Sequence, residues 1–66
     1  MIEIKFAENL KLLRQGKGIT QQELAQKLGV DKRTISAWET KVCEPSFTML
    51  AKLCEIFDEN FDNLLT

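Results

Sequence analysis

Histidine and tyrosine are both missing from the 66-residue chain, and proline occurs once. Without histidine there is no zinc site of the mixed cysteine and histidine kind, and neither Cys43 nor Cys54 has an imidazole to activate it as a nucleophile. Two cysteines do not make a disulfide framework. Long apolar runs are missing too. The longest is Met49-Leu50-Ala51, far short of the roughly 20 residues that span a bilayer, and Met1 to Lys5 holds no apolar signal core. The expectation is a protein of the reducing cytoplasm that uses no metal, no cofactor, no small-molecule ligand and no membrane. With three glycines and one proline, little chain is left for loops, and the expected content is mostly helix.

What is present is ordinary for a small globular protein: 44% apolar and 29% charged residues. A domain near 60 residues hides only about 60% of the surface its unfolded chain exposes, so residues 1–66 read as one domain with a modest core, too small for most enzymes. The net charge of −1 does not give the strongly basic footprint of the simplest nucleic-acid binders. Its distribution is uneven. Residues 1–41 carry eight of the nine Lys/Arg against five acids, whereas residues 42–66 set Lys52 against five acids. That split points to an anion-binding first half, beside the plainer alternative of a solvated surface of mixed charge.

Apolar spacing predicts helices at about 5–15, 21–28, 32–40, 47–57 and 61–65. Residues 1–5, alternating Ile2 and Ile4 with charges, fit either an extended arm or a first helical turn. Phe6, Leu10 and Leu13 set the first helix, and Gly16-Lys17-Gly18 ends it. Thr20 followed by Glu23 is a capping box, in which each side chain satisfies the other residue's backbone N–H. Leu24, Ala25 and Leu28 form the buried side of the second helix, Gly29 turns the chain, and Asp31 caps the third. At roughly 100° per residue, Thr34, Ile35 and Trp38 share the core side of helix three. Lys32, Arg33, Ser36, Ala37 and Thr40 form an outward polar stripe. Ser46 and Asn60 are caps for the last two helices; Leu50, Leu53, Cys54 and Phe57 face inward from the fourth, and Phe61, Leu64 and Leu65 mark the fifth.

Two short helices joined by a glycine turn, the second with a basic polar face, describe a helix-turn-helix. A helix fits the major groove of DNA, where residues near its N-terminus reach base edges while the preceding helix sits on the phosphates. The chain resembles the phage-repressor and Cro-type, or XRE, helix-turn-helix family. The likeness rests on Leu10 and Leu13-Arg14, Gly18-Ile19-Thr20-Gln21, Glu23-Leu24-Ala25, Leu28-Gly29-Val30, Ile35-Ser36, Trp38-Glu39, Pro45-Ser46, Leu50, Asp62 and Leu64-Leu65. It implies an all-α, compact five-helix domain that binds double-stranded operator DNA, usually as a homodimer, and regulates transcription, here most simply as a repressor. It also implies an ion pair between Arg14 and Glu39 that ties helix one to helix three. The family often has glycine where Lys41 and Asp58 stand here, positions that ask for a left-handed backbone.

The candidate base contacts are Lys32, Arg33, Ser36 and Ala37. An arginine can bond guanine O6 and N7 together, a hydroxyl can bond a base edge, and a methyl can meet thymine. The candidate phosphate contacts are Gln21, at a helix N-terminus that already favours anions, and Thr40 and Lys41 at the far end of helix three. Phe61, Leu64 and Leu65 exceed what so short a helix needs internally and are the expected dimer interface. Trp38 reads as core rather than as a base-stacking residue, Cys54 as a small core hydrophobe, and Cys43 as a loop thiol near the DNA side. The competing reading is a protein-interaction module that keeps the fold without the groove contacts. Catalysis finds no nucleophile with a base, no metal cluster and no phosphate loop to stand on.

Overall fold

The computed structural model describes residues 5–66, so the choice between an arm and a first turn for residues 1–4 lies outside the described residues. Five helices follow one another: α1 Phe6–Gly16, α2 Gln21–Leu28, α3 Lys32–Glu39, α4 Phe47–Phe57 and α5 Phe61–Leu65. No strand interrupts them among the described residues. Each start after the first has a side-chain cap. Thr20 and Glu23 exchange bonds as a full capping box, Asp31 Oδ1 accepts from the Arg33 N–H, Ser46 Oγ accepts from the Met49 N–H, and Asn60 Oδ1 accepts from the Asn63 N–H. Helix three ends at Glu39, with Thr40 as its C-cap rather than its last turn.

The four long helices end alike. A residue with positive φ follows each one, at Gly18, Gly29, Lys41 and Asp58. The next N–H then bonds back five residues, Ile19 to the Arg14 carbonyl, Val30 to Ala25, Val42 to Ala37 and Glu59 to Cys54. Carbonyls that would otherwise be unpaired at the helix end are thereby satisfied. Such tight ends let α2 turn into α3 with only Gly29, Val30 and Asp31 between them.

Every helix sends one fully buried side chain to the centre: Leu10, Leu24, Ile35, Leu53 and Leu64. Full burial of a leucine or isoleucine is worth about 1.5–3 kcal/mol, so these five residues make up a large part of the cohesion of a small domain. Around them sit Phe6, Ala25, Leu28, Trp38 and Phe57, with the Phe6 and Trp38 rings edge to face at 6.5 Å. The expected dimer role of Leu64 is therefore corrected: it is 0% exposed within a single chain. The reason is the way α5 is fastened to α1. The Lys5 N–H donates to the Leu65 carbonyl at 2.7 Å, and Asn9 Nδ2 donates to the Leu64 carbonyl at 3.0 Å. These bonds hold the short helix against the core and turn Leu64 inward.

Candidate nucleic-acid interface

With Ile35 and Trp38 buried, the opposite side of α3 is left to Lys32 and Arg33, both exposed, and to Ser36 and Ala37, both half-buried. The Asp31 cap holds the backbone of Arg33 in the first turn, leaving its guanidinium at the helix N-terminus without a salt-bridge partner among the described residues. Lys32 points elsewhere: it lines an open hollow of about 650 Å³ together with Arg14, Thr20 and Gln21. The floor of that hollow is the start of α2, whose first N–H groups and positive helix end favour an anion. Lys32 thus shares one concavity with Arg14, while Arg33 stands apart from it.

Glu39 organises the wall of the hollow. Arg14 Nε donates to Glu39 Oε2 at 2.7 Å, and Arg14 Nη2 donates to Glu39 Oε1 at 3.2 Å. Arg14 Nη1 reaches the Ile19 carbonyl at 2.9 Å. The two charged side chains are 12% and 4% exposed, so this is a nearly buried, two-point ion pair between α1 and α3. Gln21 joins it by donating from Nε2 to Glu39 Oε1 at 3.1 Å. Gln21 is consequently not a loose surface amide; it is fastened to the last residue of α3.

At the far end of α3, Thr40 is exposed and, in the free chain, turns its donors back on the helix. Its N–H and its hydroxyl both bond the Ser36 carbonyl, at 3.0 and 2.8 Å. Lys41 is exposed with φ 65°, and its turn is closed by the Val42 N–H on the Ala37 carbonyl. The ion pair that the resemblance implied for Arg14 and Glu39 is present, and Arg14 also borders the hollow.

A second feature missed in the sequence involves the first residues of α4 and α5. Phe47 is 74% exposed and stacks on Phe61, ring centroids 5.2 Å apart. Its exposure was not legible, because Phe47 lies three residues before Leu50 and seven before Cys54, at the edge of the inward side of α4. Phe61 and Leu65 are half-buried, and Cys54 is also half-buried rather than central.

Residues 10–64 match the family described as Helix-turn-helix. The uncharacterized HTH-type transcriptional regulator YqaE of Bacillus subtilis is 40% identical over 60 residues, which are 91% of this chain and 52% of that protein. The chain therefore spans about half the length of this curated relative. Among solved structures, a transcriptional regulator from Listeria innocua superposes with a TM-score of 0.92 at 30% identity, over 97% of this chain and 60% of that one. The restriction-modification controller protein C.AhdI from Aeromonas hydrophila gives a TM-score of 0.82 at 30% identity, over 91% of each chain.

Proposed function

We propose, from the premise that this chain belongs to the XRE-type helix-turn-helix family, that it is a sequence-specific DNA-binding regulator of transcription, acting as a repressor. The relatives named as transcriptional regulators support the regulatory part of this reading. The observation that carries it is the pairing of two anion-seeking features on one side: the exposed Arg33 in the first turn of α3, and the adjacent hollow ringed by Arg14, Gln21 and Lys32. In this reading α3 enters the major groove. Arg33 bonds a guanine, with Ser36 and Ala37 one turn further along the groove. A phosphate lies over the start of α2, held by its N–H groups and Gln21; Lys32 supports the same phosphate or reaches a neighbouring base, and Thr40 and Lys41 meet the backbone at the other end of α3.

The chain offers one candidate recognition helix, so reading two successive half-sites takes two copies. The reading places the contact between copies on the exposed Phe47 and Phe61 stack together with Leu65, leaving Leu64 to the core. It assigns the protein no catalytic step, cofactor or membrane contact; no helix among the described residues is long and apolar enough to cross a membrane. Selection from a random duplex pool tests the function. Recovery of one enriched motif is expected, and retention of duplexes without any preference would contradict it.

A further inference from the structure

The Glu39 carboxylate serves two partners at once, and the second gives it a task beyond joining helices. Arg14 takes both oxygens, and Gln21 Nε2 shares Oε1 at 3.1 Å. Glutamine has three rotatable side-chain bonds, and an unrestrained one loses that freedom when it meets a ligand. The other glutamines of α2, Gln22 and Gln26, are exposed where Gln21 is half-buried, and show the unrestrained case: among the described residues neither has a side-chain hydrogen bond. Gln21 stands on the rim of the hollow at the first turn of α2. With one amide N–H given to Glu39, its second N–H remains to donate outward.

We infer that Glu39 is a positioning residue for DNA binding, holding the Gln21 amide in advance in the orientation that meets the phosphate backbone. The inference rests on the DNA-binding reading above. It adds that one carboxylate couples the two parts of the motif: Gln21 opens α2 and Glu39 closes α3. A displacement of the reading helix therefore moves the backbone contact with it. The preordered amide contributes affinity through lost freedom that no longer has to be surrendered on binding.

A mutant cycle tests this on an operator selected with the native chain. Gln21→Ala is placed in the native background and in Arg14→Met/Glu39→Met, which replaces the ion pair with apolar side chains of similar volume, a change proteins often tolerate. In the native background Gln21→Ala is expected to weaken binding about tenfold, the loss of one hydrogen bond to a charged group. In the swapped background the same change is expected to cost about twofold or less, because the amide there is already unheld. Equal losses in both backgrounds would overturn the proposal while leaving DNA binding intact. The native chain supplies a second readout that needs no variant. By NMR relaxation the Gln21 side-chain amide is expected to be ordered, in contrast to Gln22 and Gln26. A Gln21 amide as averaged as theirs would overturn the proposal, and an ordered amide in a chain that binds no duplex would overturn the DNA reading and the proposal with it.

Discussion

Arg14 and Glu39 show how much one pair of residues is asked to do in a protein this small. Removing one partner of a buried ion pair leaves the other charge dry and unpaired, at a cost of roughly 3–5 kcal/mol, against total stabilities of about 5–15 kcal/mol for folded domains. Arg14 borders the open hollow and can regain some water, so Glu39→Ala is expected at the lower end, near 3 kcal/mol. Urea denaturation measures it; an unchanged midpoint would show that the pair does not hold α1 to α3. The two thiols make a second contrast between single residues. Cys43 is exposed, whereas Cys54 is half-buried, and burial first, then the Glu59 carboxylate, push the Cys54 thiol up from its ordinary range. A raised thiol holds less thiolate near neutral pH and reacts more slowly. Alkylation followed by mass mapping is expected to label Cys43 well before Cys54, and the reverse order would contradict the burial of α4.

The elements are set by their ends. Gly18 and Gly29 occupy left-handed positions without strain, and a Cβ at either would touch nothing, so their φ alone explains the residue type. Lys41 and Asp58 hold the same conformation with side chains attached, φ 65° and 53°. A left-handed residue with a Cβ costs roughly 1–2 kcal/mol, less for aspartate, while glycine gives back part of the relief by loosening the unfolded chain. Lys41→Gly is therefore expected to raise stability by about 1 kcal/mol and Asp58→Gly by less; thermal denaturation checks both, and a loss at Lys41 would mean that its side chain holds the turn. These ends were legible in the sequence because caps and turns depend on residues three to five apart. Thr20 with Glu23, Gly29, Asp31, Ser46 and Asn60 each carry their own chemistry. What spacing did not give was contact between distant elements. The bond from Gln21 to Glu39 joins residues 18 apart, and Leu64 is turned inward by Asn9, 55 residues away. Hydrophobic spacing says that a short helix has apolar residues; only its fastening to α1 decides which of them stays outside.

At the scale of the molecule, the charge split of the sequence becomes a direction. Lys32 and Arg33 stand exposed at the start of α3, with Arg14 beside the same hollow as Lys32, while residues 42–66 set five acids against Lys52, and there the exposed Phe47 stacks on the half-buried Phe61. With extents of 34 × 24 × 21 Å, one chain presents one reading helix, and a two-fold pair is expected to set two of them about 34 Å apart, one turn of DNA. Sedimentation on a selected operator is expected to show two chains per site, and Phe47→Ser is expected to reduce this to weak single-chain binding; one native chain saturating a site without palindromy would reject the pair. The claim on which the rest depends is that α3 reads sequence through Arg33. A bidentate arginine on guanine discriminates by about 1–3 kcal/mol, whereas phosphate contacts hold all sequences nearly alike. The most direct measurement is competition binding of native and Arg33→Ala chains against every single-base variant of the selected operator. Arg33→Ala is predicted to lose its preference at one base pair in each half-site and keep the others; an unaltered preference profile would contradict that claim.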